Sequence, residues 1–113
     1  MITLPWPPKE LSPNSRNHWA KRAKVAAKYR ETCRLLTIAS KIRPAETGAV
    51  FLRVSYYAPD RRLRDDDNMI AAFKAGRDGV ANAWGIDDNT FCVASVFRNE
   101  IVSHGKITIE LIN

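Results

Sequence analysis

Hydrophobic and polar positions alternate clearly between residues 50 and 57, where Val50, Leu52, Val54 and Tyr56 fall on one side of an extended chain. This two-residue period predicts a β-strand that buries one face. The same reasoning gives four predicted strands, over residues 2–6, 50–57, 91–98 and 107–112. The turn-forming residues 103–105 predict that the last two strands form a hairpin.

A helical period of hydrophobic positions predicts two helices, over residues 18–40 and 68–83. Ser15 or Asn17 is expected to cap the first helix, and Gly85 is expected to end the second. Gly76 and Gly79 weaken the second helix, which suggests a close approach of another backbone. The buried stripe predicted for the first helix consists of Trp19, Ala26, Tyr29, Cys33 and Leu36.

The element order β-α-β-α-β-β predicts an α/β fold with a mixed, mostly four-stranded sheet that helices cover on one face. At 113 residues the chain fits one domain, residues 1–113. It has no apolar run long enough to span a membrane and no secretory signal pattern at its start, so we expect a cytoplasmic protein. Cys33 and Cys92 are expected to be buried, reduced thiols. The tryptophans expected in the core are Trp6, Trp19 and Trp84.

Charge is distributed unevenly along the chain, whose net charge is +6. Residues 1–64 carry fourteen basic and four acidic side chains, whereas residues 65–113 carry four basic and eight acidic ones. A basic surface suggests a polyanion such as nucleic acid as partner, although charged helix faces are often only solvated. The candidate DNA contacts are Asn14, Arg16, Lys21, Lys24, Lys28, Arg61, Arg62 and Arg64.

The most highly charged stretch places Arg61, Arg62 and Arg64 directly before the run Asp65–Asp67. A core would have to desolvate all of these charges, so the stretch is either a solvated loop or a site for a charged ligand. If the chain is extended here, the side chains of Asp65 and Asp67 point the same way. Taken alone, Asp67 is typical of a helix N-cap.

A second acidic pair, Asp87 and Asp88, follows the second predicted helix and is typical of a turn. If the fold returns this pair to Asp65 and Asp67, the carboxylates would suit Mg²⁺ or Mn²⁺ and could hold phosphate on a basic surface. Lys74 could then stabilise charge on the phosphate or help to position the attacking water, although without other evidence a solvated helix lysine is the preferred interpretation.

Several of these segments together resemble the RusA family of Holliday-junction resolvases, small crossover junction endodeoxyribonucleases of phages and prophages. The resemblance lies in the opening residues 2–8, the stretch 61–68, a lysine in the next helix and the later acidic pair. It covers most of the chain in the same order. The resemblance implies a homodimer that binds four-way DNA junctions and nicks two strands symmetrically with Mg²⁺.

The resemblance also implies roles for particular residues. Asp65, Asp67 and Asp88 would be the catalytic, metal-binding carboxylates, and Lys74 the catalytic lysine. The chain departs from the family pattern here, because the family lysine follows the second aspartate by four residues, where this chain has Ala71. Matching Lys74 instead requires an insertion of about one helical turn, which Asp78 supports because it keeps the family spacing to that lysine.

Two other functions compete with a nuclease. The chain could be a non-catalytic DNA-binding or regulatory module of a phage, in which the aspartates are only caps and turns. It could also be a calcium-stabilised domain, but residues 65–68 lack the glycine and distal glutamate of an EF-hand loop.

Overall fold

The computed structural model describes residues 1–45 and 48–112 and contains a four-stranded mixed sheet, as predicted. Its strands are β1 (Ile2–Leu4), β2 (Val50–Tyr57), β3 (Phe91–Arg98) and β4 (Lys106–Leu111). Their order across the sheet is β1-β4-β2-β3. β2 is parallel to β3 and antiparallel to β4, and β4 is antiparallel to β1.

The predicted hairpin between the last two strands is wrong. The turn itself is present, with His104 and Gly105 at φ 67° and 70°. However, β3 and β4 lie on opposite sides of β2 and do not pair with each other. The connection therefore carries the chain past the end of β2, and β3 gains a parallel partner while β4 gains two antiparallel ones.

The long first helix, α1 (Trp19–Ser40), is close to its predicted bounds. His18 caps it in place of Ser15 or Asn17: the His18 Nδ1 accepts a hydrogen bond from the Ala20 amide at 3.2 Å. The side chains of Tyr29, Cys33 and Thr37 form its buried face. The core assignments of Trp19 and Leu36 are wrong, because these side chains are 74% and 39% exposed.

The second predicted helix is two helices, α2 (Asp66–Ala72) and α3 (Lys74–Trp84). They meet at Phe73, whose amide is shared between the carbonyls of Met69 and Ile70. The Phe73 ring is buried against Tyr56 of β2, with ring centroids 6.1 Å apart. Phe73 has ψ −4°, which interrupts the regular helix between α2 and α3. Gly85 ends α3 with φ 68°, as predicted.

The helices pack on the face of β2 that carries Val50, Leu52, Val54 and Tyr56, all of them buried. On the opposite face Phe51 and its register partner Cys92 are exposed, so the prediction that Cys92 is buried is wrong. The outward orientation follows from the strand period, which places Cys92 between the inward-facing residues of β3.

α1 and α3 approach each other closely at Gly79, as predicted, whereas the atoms nearest to a Cβ at Gly76 would be those of the Phe73 and Tyr29 side chains and not a backbone. A Cβ at Gly79 would overlap the Arg30 carbonyl oxygen, so only glycine fits without a backbone shift. The Cys33 thiol is buried on the same side of α1, and burial raises its pKa to about 11. At the end of α3 the buried Trp84 donates its indole N–H to the Ile42 carbonyl at 2.8 Å.

No helix within residues 1–45 and 48–112 combines the length and apolar character needed to cross a membrane.

Candidate functional site

The charged loop, residues 58–65, leads from β2 to α2 and is held closed by its own side chains. The Asp60 carboxylate accepts a hydrogen bond from the Arg62 amide at 3.0 Å and pairs with the Arg64 guanidinium at 2.9 Å. The Arg64 bond is the main cause that holds the pKa of Asp60 below its usual range. Arg64 also lies over the Trp6 ring, 5.6 Å from its centroid, and its side chain is only 13% exposed.

These contacts divide the three arginines of the charged loop into two groups. Arg64 braces the loop and has little surface left for a DNA phosphate. Arg61 and Arg62 are exposed, and neither side chain forms an ion pair with another described residue. Among the three arginines of this loop, Arg61 and Arg62 are therefore better candidates for DNA contacts than Arg64.

The start of α2 differs from the expected extended arrangement of the aspartates. Asp65 is the N-cap, and its Oδ1 accepts a hydrogen bond from the Asp67 amide at 2.9 Å. The expectation that Asp67 caps the helix is therefore wrong, and Asp66 and Asp67 lie in the first turn. All three carboxylates are on exposed residues. α2 begins at Asp66, two residues before the predicted start at residue 68, because Asp65 supplies the capping oxygen.

Lys74 and Asp88 are in direct contact although they lie fourteen residues apart. The Lys74 Nζ is 2.6 Å from Asp88 Oδ2 and 3.0 Å from Asp78 Oδ1. The hydrogen bond to Asp88 is the main cause that raises the pKa of Lys74, and the same bond lowers the pKa of Asp88. Lys74 occupies the first position of α3, so Asp78 lies one turn later on the same face.

Arg77 also contacts Asp88, a role that the sequence analysis missed. Its Nη2 donates to the Asp88 carbonyl at 3.2 Å, and its Nε lies 3.7 Å from Asp88 Oδ2. The guanidinium stacks over the Phe91 ring at 5.7 Å from the centroid. The available signal was its position three residues after Lys74, which places both cations on one side of α3.

Asp87 and Asp88 have different surroundings. The Asp87 carboxylate accepts a hydrogen bond from the Asn89 amide at 3.0 Å and caps the short 3₁₀ turn Asp88–Thr90. The Asp88 side chain is 21% exposed and faces Lys74 and Arg77. Asp87 thus caps the turn, whereas Asp88 pairs with two cations of α3, Lys74 and Arg77.

Asp65, Asp67 and Asp88 do not form a ready-made metal site. Within the described residues no group of three or more histidine, cysteine, aspartate or glutamate side chains could hold a metal ion. The topology supplies the reason. Because β2 and β3 are parallel, Asp65 follows the carboxyl end of one strand and Asp88 precedes the amino end of the next. The carboxyl end of β2 and the amino end of β3 lie at opposite ends of these parallel strands.

A cleft of about 630 Å³ lies between the charged loop and the proline-rich loop, residues 5–17. One wall carries Lys9 and the candidate DNA contact Asn14, and the other carries Arg62 and Asp65. The Tyr29 hydroxyl donates to the Pro5 carbonyl at 2.6 Å and so fixes the start of the proline-rich loop on α1. The cleft brings together two segments that lie about fifty residues apart in the chain, and it borders the start of α2.

The remaining candidate DNA contacts lie on exposed residues. Lys21, Lys24 and Lys28 are on the solvent-facing side of α1, and Arg16 lies in the loop before it. None of these four side chains forms an ion pair with another residue of the ranges 1–45 and 48–112. Such free cations are available for phosphate contact, and they would also be stable as a solvated surface.

No protein-family model matches the chain. The chain is similar to a protein of Xylella fastidiosa (strain Temecula1) that is described as uncharacterized. The two are 42% identical over an alignment of 113 positions, and the alignment covers 97% of this chain and 74% of the Xylella protein.

Proposed function

The chain belongs to the same family as the Xylella fastidiosa protein, and we propose that it is a Mg²⁺-dependent, structure-specific DNA endonuclease of the Holliday-junction resolvase type. The observation that carries the proposal is the contact between Lys74 and Asp88 at 2.6 Å. The resemblance to RusA resolvases assigns both residues to catalysis, and the fold joins them across fourteen positions. The resemblance of residues 61–68 to the same family assigns the other two residues, Asp65 and Asp67.

The metal fits the site by donor chemistry, because Asp65, Asp67 and Asp88 offer the hard carboxylate oxygens that Mg²⁺ and Mn²⁺ prefer. When bound, the ion would activate water for in-line attack on a phosphodiester and stabilise the leaving oxygen. The proposal requires Asp88 to exchange its contact with Lys74 for the metal. Lys74 is then free to donate to a non-bridging phosphate oxygen, where its positive charge opposes the charge that develops during the reaction.

The basic residues of the first half of the chain would hold the DNA backbone. Arg61, Arg62 and the lysines Lys21, Lys24 and Lys28 of α1 are exposed and would neutralise phosphates without reading bases. We propose a four-way junction as substrate and a homodimer as the active form, since a two-fold dimer presents one site to each of two opposed strands. The reaction would serve recombination or repair in the cytoplasm of a bacterium or a phage-infected cell.

A non-catalytic DNA-binding or regulatory module is the second candidate, and one observation favours it. Asp88 is already neutralised by Lys74 and Arg77, and the carboxylates are not gathered for a metal. In that case the aspartates would act only as caps and ion-pair partners, and the protein would bind branched DNA without cutting it.

A nicking assay on a fixed synthetic four-way junction and on linear duplex, each with and without Mg²⁺, tests the proposal. The wild-type protein should nick only the junction, only with Mg²⁺, and symmetrically in two strands. Asp67→Asn should abolish nicking and keep junction binding, because it removes a ligand charge from an exposed position. Asp66→Asn is the matched control in the same helical turn and should still nick.

Normal nicking by Asp67→Asn would refute the assignment of that residue. Junction binding without Mg²⁺-dependent nicking in the wild-type protein would refute the nuclease and support the binding module.

A further inference from the structure

The cleft between the proline-rich loop and the charged loop combines apolar walls with unused polar groups. Trp6, Pro8 and Met69 contribute apolar surface. Asn14 and Asn68 line the same space, and neither carboxamide forms a side-chain hydrogen bond within residues 1–45 and 48–112. At about 630 Å³ the cleft falls within the size range of small-ligand sites.

The charges around the cleft favour an anionic group. The part of its lining that belongs to the charged loop carries two basic side chains, Arg62 and Arg64, and two acidic ones, Asp60 and Asp65. Asp60 is paired with Arg64, and Asp65 caps α2, so both acids are already engaged. Lys9 also lines the cleft, and neither its ammonium nor the Arg62 guanidinium forms an ion pair with a described residue. Two cations are thus available at the rim.

We propose that this cleft binds a single unpaired nucleotide of the DNA substrate. The apolar walls would hold the base, Asn14 and Asn68 would pair with its edge, and Lys9 and Arg62 would hold the flanking phosphates. A carboxamide presents a donor and an acceptor side by side, which is the pattern that a base edge requires. The base must leave the stack, because a concave site cannot reach it within a duplex.

The loop that forms one wall carries a side chain suited to displace a base. Leu63 lies on the rim of the cleft and is 98% exposed. Its two neighbours are Arg62 and the braced Arg64, so the leucine projects from a loop with an internal support. Apolar side chains of this kind enter base steps in DNA-bending proteins. Leu63 can therefore fill the space that an extruded base leaves.

This inference rests on the proposed function, because branched DNA is the source of the nucleotide and Asp65 lies on the wall of the cleft. It adds a specific expectation for the branch point, where base pairs are weakest. A mismatch lowers the cost of extruding a base, so a protein that captures the base should bind a mismatched junction more tightly.

The test measures binding in the presence of EDTA, by fluorescence anisotropy of junctions labelled at a distal arm. Three junctions are compared: fully paired, mismatched at the four pairs that border the branch, and abasic on one strand of each such pair. The wild-type protein should bind the mismatched junction about tenfold more tightly than the paired one. The abasic junction should lose this gain.

A double variant, Asn14→Ala with Asn68→Ala, should bind the paired and mismatched junctions equally, because two hydrogen bonds to the base are gone. Its affinity for the mismatched junction should fall about tenfold. Asn82→Ala is the matched control, since Asn82 is exposed on α3 and does not line the cleft. It should keep the preference of the wild-type protein, whereas a preference that comes only from junction flexibility would also persist in the double variant.

The outcomes separate the two proposals. Equal wild-type affinity for paired and mismatched junctions, together with Mg²⁺-dependent nicking, would overturn the cleft assignment and leave the nuclease. A mismatch preference that depends on Asn14 and Asn68, without any nicking, would keep the cleft and overturn the nuclease. Failure to bind any junction would overturn both.

Discussion

The contact between Lys74 and Asp88 predicts that a lysine and a metal ion compete for one carboxylate. A metal that uses Asp88 Oδ2 must displace the Lys74 ammonium, which lies 2.6 Å from that oxygen. Lys74→Met removes the competitor and keeps much of the length of the side chain. We therefore expect the variant to bind Mn²⁺ more tightly than the wild-type protein, even though its nicking of DNA should be slower.

The size of the effect follows from the exposure of the ion pair. The Lys74 side chain is 61% exposed and that of Asp88 is 21% exposed. An ion pair in contact with solvent contributes about 0.2–1 kcal/mol. Removing it should therefore increase the affinity for Mn²⁺ about 1.5- to fivefold. Arg77 remains beside the carboxylate in the variant, so Asp88 is not left without a cation.

Isothermal titration calorimetry with Mn²⁺, in the absence of DNA, measures this affinity without reference to catalysis. Lys21→Met is the matched control, because it removes an exposed lysine that forms no ion pair with a described residue. Asp88→Asn should weaken Mn²⁺ binding in the same assay. If Lys74→Met binds Mn²⁺ no more tightly than Lys21→Met, the metal does not use Asp88 and the reasoning fails.

Two further predictions concern stability. Gly79→Ala should destabilise the protein by about 1–3 kcal/mol or more, because its Cβ meets the Arg30 backbone, which cannot rotate away; urea unfolding beside the exposed-site variant Asn82→Ala measures this, and equal midpoints would contradict it. The pKa of Asp88 is lowered, mainly by Lys74, so its contribution to stability is present above the unfolded pKa and is lost as pH falls through the folded pKa. The stability difference between wild-type protein and Asp88→Asn should accordingly shrink as pH falls below about 4, and a constant difference between pH 6 and pH 2.5 would refute the linkage.

The sequence predicted local structure well because local rules determined it. The alternation from Val50 to Tyr56 marks the buried face of β2, and this face is buried in the structure. Gly79 lies at a close helix contact, and Gly85 adopts a positive φ at the end of α3. The period of β2 and the positive φ of Gly85 are local features, whereas the contact at Gly79 also requires α1, a partner that the glycine itself did not identify.

The sequence did not predict the features that depend on contacts with a distant segment of the chain. The turn at residues 103–105 suggested a hairpin of β3 and β4. Instead, β2 lies between these strands and pairs with both, so more backbone groups form hydrogen bonds than in a two-stranded hairpin. The break at Phe73 depends on Tyr56, a residue of another element. Trp19 is the first residue of α1 and is exposed, and hydrophobic periodicity alone cannot place the end of a helix relative to the elements it packs against.

The candidate site shows the same division between local and distant causes. The spacing of Asp65 and Asp67 predicted carboxylates that point the same way from an extended chain, whereas the structure places Asp65 at the N-cap of α2 and Asp67 in its first turn. The spacing of residues along the chain does not show that β2 and β3 are parallel. This arrangement places Asp88 just before the amino end of β3, whereas Asp65 follows the carboxyl end of β2. Asp88 accordingly pairs with Lys74, the residue that lies between the two carboxylate groups in the chain.

The break at Phe73 determines how the nuclease proposal can succeed. α2 carries Asp65 and Asp67 at its start, whereas α3 carries Lys74 and, through it, Asp88. Because Asp65, Asp67 and Asp88 form no metal site among the described residues, a metal that uses all three would require the angle between α2 and α3 to change at Phe73. Lys74 at the joint currently satisfies Asp88, and a metal with bound phosphate would give both residues new partners of opposite charge. A binding module has no use for such a rearrangement, so metal binding that involves Asp67 and Asp88 together would distinguish the two functions.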